Sequence, residues 1–284
     1  MIYEKIDLYE YFGITRPSNA NGYLTVMTHF SRADGILKLR PAMLVITGGG
    51  YAFLSDRENE PVALTYLAKG YNSFVLDYSI APVSFPAQLL EGCMAVIYIR
   101  ENAEKFDVIP DQICAVGFSA GGHLCAMLAT VRDNDMVNTV LGEKAGLSRP
   151  DAVILSYPVI DGAEYAHRGS FNNLCAGDNG LEEHLSIQKR VNHNSVPAFI
   201  WTTVTDPAVP SENSLLMAWA YKKAGVPFEI HVFDKGPHGF SLATLETCVV
   251  SGGGDYNNPH VAKWLDLSIE WLENRGFGIR IVDQ

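Results

Sequence analysis

The 284-residue chain contains no run of about eighteen apolar residues, so no membrane-spanning helix is expected. Its start, Met1-Ile2-Tyr3-Glu4-Lys5-Ile6-Asp7, has neither a basic segment nor an apolar stretch, and no signal peptide is expected. Cysteine is sparse and odd in number: Cys93, Cys114, Cys125, Cys175 and Cys248, with no C-x-x-C pair and no close Cys/His cluster. That argues against a disulfide framework and against a metal site, and reads as reduced thiols in a cytoplasmic protein. Positive charge is short too: 21 Lys and Arg stand against 32 Asp and Glu, a net charge of −11. An acidic surface repels phosphate backbones and anionic lipid, so neither nucleic acid nor membrane is an expected partner. A neutral small molecule meets no such barrier. No internal repeat, low-complexity tract or Pro/Ser linker divides the chain, and 1–284 is read as a single domain.

What is present is an alternation of short apolar runs with longer amphipathic stretches. Residues 42–47 (A-M-L-V-I-T), 72–77, 112–116, 152–157, 198–203 and 228–233 read as buried strands. Residues 60–69, 86–105, 119–131, 211–224 and 259–274 read as helices. Strands that are apolar throughout, each followed by a helix, predict an α/β fold. The expected form is a mostly parallel central sheet covered by helices on both faces, a three-layer sandwich. Residues 23–30 are expected to add an antiparallel edge strand. The stretch 160–196 breaks the rhythm with many Asn, Gly and His residues. It is read as a small cap insertion over the carboxyl ends of the strands, where ligands bind in such sheets. An ordinary surface excursion is the plainer alternative.

The strand 112–116 runs into Gly117-Phe118-Ser119-Ala120-Gly121-Gly122 and then into a helix. This is the strand–turn–helix setting in which G-x-S-x-G presents a strained, exposed serine. The flanking glycines answer the crowding of strand against helix. Ser119 is therefore the candidate nucleophile. The strand 42–47 ends in Gly48-Gly49-Gly50-Tyr51, where glycines let the backbone aim N–H groups into a cleft. The N–H groups of Gly49, Gly50 and Ala120 are the candidate oxyanion donors. A phosphate loop is a poor fit, because neither G-x-G-x-x-G nor G-K-[ST] occurs there.

A serine nucleophile needs a base and a carboxylate to orient it, in this setting in the chain order Ser, Asp or Glu, His. Strand 198–203 is followed by Asp206-Pro207, and strand 228–233 by Gly236-Pro237-His238-Gly239. Asp206 and His238 thus both follow late strands, on the edge that carries Ser119. Among the other histidines, His260 alone keeps roughly the right order; Asp161, Asp178 and Asp234 are the competing turn acids. Tyr51 is expected to overhang the cleft, where a ring face suits a sugar, with plain packing as the alternative. Trp264, with Tyr78 and Phe85, is a wall or core residue; Tyr51 and Trp264 are the candidate substrate-binding pair. The run Ser251-Gly252-Gly253-Gly254-Asp255 is read as a flap beside His238 or a plain loop.

Four segments together, T-G-G-G-Y at 47–51, G-F-S-A-G-G-H at 117–123, D-P-A-V-P-S-E-N-S at 206–214 and G-P-H-G-F-S-L-A at 236–243, resemble a known family. They are similar to the bacterial acetyl esterase/lipase branch of the α/β-hydrolases, above all to its acetylxylan-esterase-like and BD-FAE-like members. The resemblance spans the first buried strand to the last helix. It implies an α/β-hydrolase fold and carboxylic ester hydrolysis without a cofactor, often of acetyl groups on xylan-derived sugars. The sequence departs from it at Thr47, where relatives often carry His, and at Phe240, where they often carry Leu. The expected substrate is a small ester, an acetylated xylo-oligosaccharide in the favoured case. An arylformamidase-like amidase or peptidase on the same three residues, and a catalytically silent binding module, are the alternatives. A homodimer is compatible with the sequence, and no stretch marks an interface.

Overall fold

A computed structural model of the chain describes residues 1–30, 36–131, 135–249 and 256–282. The chain opens with β1 (Ile2–Asp7) and the short helix α1 (Leu8–Phe12), followed by β2 (Tyr23–Thr28) and β3 (Leu37–Ile46). Then come α2 (Glu60–Ala68), β4 (Asn72–Asp77), α3 (Ala87–Glu101), β5 (Val108–Phe118), α4 (Ala120–Ala129) and α5 (Asp135–Leu141). The second half holds β6 (Ala152–Ser156), α6 (Arg168–Cys175), α7 (Asn179–His184), β7 (Ala198–Thr203) and α8 (Glu212–Ala224). It closes with β8 (Phe228–Phe233), α9 (Trp264–Glu273) and β9 (Arg280–Val282).

The main sheet runs β1-β2-β4-β3-β5-β6-β7-β8, and β9 pairs with the start of β3. From β4 to β8 every neighbour is parallel, whereas β1 and β2 are antiparallel additions. This is the α/β-hydrolase fold. One expectation needs correction: the strand at 23–28 is not the edge. It lies between β1 and β4, and β1 forms the edge. β1 alternates half-buried with exposed residues and carries Glu4 and Lys5, so it lacks the apolar run that marks the inner strands.

Period two explains why the inner strands are apolar throughout. In β3, Ala42, Leu44 and Ile46 enter the core built with α3, α4 and α8, through Met94, Ile97, Leu124 and Met217. Met43 and Val45 point the other way, into the core built with Val62 and Tyr66 of α2 and with Trp264 and Trp271 of α9. Both faces are covered, so both phases of each strand are apolar. All parallel strands end on one edge, and the loops there build the site. Among the described residues no helix is long and apolar enough to cross a membrane.

Candidate active site

The turn from β5 into α4 is as tight as its glycines imply. A Cβ at Gly117 would stand 2.3 Å from the carbonyl oxygen of Gly121, and one at Gly121 would stand 2.2 Å from that of Ile46. Between them Ser119 takes φ 53° and ψ −116°, a conformation that L residues avoid. Its backbone is held on both sides: Ser119 N–H donates to Ser156 O at 3.0 Å, and Ser119 O accepts from Val159 N–H at 3.0 Å.

Ser119, His238 and Asp206 meet in one chain of hydrogen bonds. Asp206, nine-tenths buried, accepts the N–H groups of Ala208 (2.9 Å) and Val209 (3.0 Å) on Oδ1. That leaves Oδ2 for Nδ1 of His238, 2.6 Å away. A carboxylate only accepts, so Nδ1 carries the proton and Nε2 offers its lone pair. Nε2 lies 2.7 Å from Oγ of Ser119. His260, the alternative in chain order, instead packs its ring against Phe233.

Gly49 and Gly50 border the same cavity as Ser119 and His238. Both have positive φ, 124° and 62°, and a Cβ on Gly49 would fall 2.0 Å from Phe53 O. Ala120 opens α4, so its N–H has no carbonyl one turn earlier within the helix to bond. The cavity measures about 390 Å³. Phe53 and Arg57 form one wall, and His167, Gly169 and Asn173, from the stretch read as a cap, form another. The Asn173 side-chain amide donates to Gly50 O at 2.8 Å, tying that stretch to the glycine loop. Burial and the neighbouring His238 push the His167 imidazole below its usual range, against the pull of Asp206.

Tyr51 and Trp264 lie under the site rather than on its wall. Tyr51 is 1% exposed, because its backbone at φ 58° turns the ring inward and its hydroxyl meets Nδ1 of His123 at 2.9 Å. Trp264 is fully buried, stacked on Trp201 with its indole N–H donating to Ser241 O at 3.0 Å. Tyr78 is likewise buried and donates to Thr47 O. The run 251–255 lies outside the described residues. His123 itself is neutral: Nε2–H donates to Leu185 O, and burial lowers its pKa from 6.5 to about 4.

Sequence reasoning missed Arg57, Glu58, Tyr157, His167 and Asn173. Glu58 is 3% exposed, accepting Gly48 N–H at 2.7 Å and Tyr157 O–H at 2.7 Å. The Tyr157 ring stands edge-on to His238, centroids 5.1 Å apart. Among the described residues no group of three or more His, Cys, Asp or Glu side chains gathers to hold a metal ion.

The family model named BD-FAE matches residues 35–220, most of the chain. The chain belongs to the BD-FAE family of α/β-hydrolase esterases. It is 34% identical to an acetyl ester-xyloside bifunctional hydrolase from Caldicellulosiruptor lactoaceticus, over 96% of this chain and 97% of that one, with a TM-score of 0.81. A carboxylesterase from Lactobacillus plantarum is 29% identical, with a TM-score of 0.79 over 98% of each chain. Among curated proteins, endo-1,4-beta-xylanase B of Butyrivibrio fibrisolvens is 41% identical over 226 residues, 77% of this chain and 35% of its own length. The acetylxylan esterase of Xylanibacter ruminicola is 28% identical over 72% of this chain and 42% of its own length. The chain thus spans less than half the length of these two curated relatives.

Proposed function

We propose that this BD-FAE member hydrolyses small carboxylic esters through an acyl-enzyme, and that acetylated xylo-oligosaccharides are its substrate class. The observation that carries the reading is the continuous line from Asp206 through His238 to Ser119, with contacts of 2.6 and 2.7 Å. In this route Nε2 of His238 takes the Ser119 proton as Oγ attacks the ester carbon. The N–H groups of Gly49, Gly50 and Ala120 receive the negative oxygen of the tetrahedral intermediate. Imidazolium then protonates the leaving alcohol, the acetyl group stays on Ser119, and water activated by His238 releases acetate. Asp206 fixes the tautomer and stabilises the imidazolium. The cavity falls in the usual range for small-molecule sites, roughly 300–1,000 Å³. The choice of acetylated xylose sugars rests on the names of two relatives, an acetylxylan esterase and an acetyl ester-xyloside hydrolase.

The test is a panel: 4-nitrophenyl acetate, acetylated xylo-oligosaccharides, a feruloyl ester and an aryl amide, each with wild type and Ser119→Ala. The expected result is acetate release from the first two, lowered at least about 10⁴-fold by the substitution. Undiminished ester hydrolysis by Ser119→Ala contradicts the mechanism. Fast amide cleavage without acetate release contradicts the substrate class.

A further inference from the structure

We propose that Glu58 is a positioning residue that holds the glycine loop and the His238 loop in one register, so that oxyanion donors and base stay aligned. The proposal rests on the ester-hydrolase reading above.

Glu58 ends a short helical turn, Asp56–Glu58, between β3 and α2. One carboxylate oxygen accepts Gly48 N–H, and Gly48 O accepts Ser55 N–H at 3.1 Å. Both sides of Gly48, the residue before Gly49, are therefore fixed by the same turn. The other carboxylate oxygen meets Tyr157 Oη. That oxygen also accepts Ser241 N–H at 2.8 Å, and a phenol has one proton, so Tyr157 must donate to Glu58. Ser241 is three residues past His238. Its hydroxyl donates to Arg57 O at 2.6 Å, while the Arg57 guanidinium donates to Gly239 O at 2.8 Å and Thr247 O at 2.6 Å. Two adjacent residues thus grip the oxyanion side and the base side of the cleft at once.

Strain makes the grip necessary. Tyr51, Tyr157 and Ser241 hold φ of 58°, 36° and 54°, beside Ser119 at 53°. Such backbone persists only where surrounding bonds over-determine it. A carboxylate suits the position because it accepts from both directions. An amide offers one donor end, which meets either the Gly48 N–H or the Tyr157 oxygen and displaces the phenolic proton.

The test compares Glu58→Gln and Tyr157→Phe with wild type and Ser119→Ala on 4-nitrophenyl acetate, with affinity for phenylboronic acid as a second readout. The boronate adds to Ser119 and forms a tetrahedral anion, so its affinity reports the oxyanion site. Glu58→Gln is expected to lower kcat about 10–100-fold with KM within about threefold. Its boronate affinity should fall by a similar factor. Tyr157→Phe is expected to lose about 3–10-fold, and the double variant no more than Glu58→Gln alone, because the two act in series. Wild-type kcat and boronate affinity per folded molecule in Glu58→Gln overturn the proposal. Should that variant fail to fold, the same wild-type values in Tyr157→Phe overturn it. Activity surviving in Ser119→Ala defeats the ester-hydrolase reading instead; an inactive Ser119→Ala beside a fully active Glu58→Gln defeats only the role of Glu58.

Discussion

Two buried glutamates do the same chemistry in different places. Glu58, at the carboxyl edge of the sheet, bonds Gly48 N–H and Tyr157 O–H. Glu91, fully buried on α3, accepts Ser79 N–H at 2.6 Å, Ser79 O–H at 2.5 Å and Tyr9 O–H at 2.9 Å. Burial raises the Glu91 carboxyl above its ordinary range, and the bonds from Ser79 and Tyr9, with the Arg16 charge, oppose that rise. Glu91 joins α1, the loop after β4 and α3, away from the reacting atoms. Glu58 joins the two loops that face them. A buried carboxylate is a three-dimensional clamp, and its effect depends on what its partners must do. Glu91 is expected to govern stability, Glu58 rate.

The largest effect that would sharpen this contrast is Glu91→Ala. It leaves three donors buried without acceptors, each worth about 1–3 kcal/mol, for a combined loss of at least about 3 kcal/mol. At about 2–4 °C per kcal/mol for a chain of this size, Tm should fall by roughly 10 °C. Urea melts and active-site titration check it: kcat per folded molecule should stay within about twofold of wild type. A stable but slow Glu91→Ala would break the contrast. Glu58→Gln is its counterpart. The expected 10–100-fold loss in kcat corresponds to about 1.4–2.7 kcal/mol of transition-state stabilisation, with a smaller change in melting.

The next effect is acid sensitivity at His123, which links Tyr51 to Leu185. Its folded pKa, about 4, lies below the ordinary 6.5. The unfolded state therefore binds the proton first, so this contribution is complete above about pH 6.5 and is lost as pH falls towards 4. From pH 8 to pH 5 the loss is about 2 kcal/mol. Urea melts at both pH values should show it in wild type and show it reduced in His123→Gln; equal losses would contradict the assignment. The smallest effect is Tyr51→Phe, which removes one buried hydrogen bond at a cost of about 1 kcal/mol, read in the same melts.

Much of the fold is legible because fully buried parallel strands have to be apolar throughout. The inner strands at Asn72–Asp77 and Ala198–Thr203 stand where their composition puts them, and so does Phe228–Phe233, which is partly exposed but keeps four apolar residues among six. The edge strand Ile2–Asp7 is not legible, since one exposed face leaves it half polar. The convergence of Ser119, Asp206 and His238 is legible because each follows a strand, and parallel strands end on one edge. Tyr51 misleads because its position beside the cleft is set by the glycine turn, while its direction is set by φ and by His123. Glu58 is invisible for a related reason. In D-R-E-N-E a buried carboxylate looks like a solvated one, and its partners Gly48 and Tyr157 are 10 and 99 residues away.

In the proposed mechanism Ser119 carries the acyl group. Intact-protein and peptide mass spectrometry after acid quench of the 4-nitrophenyl acetate reaction tests it most directly. One acetyl group is expected on the peptide containing Ser119 in wild type, and none there in Ser119→Ala. Turnover with no acyl adduct on Ser119, together with undiminished hydrolysis by Ser119→Ala, would contradict it.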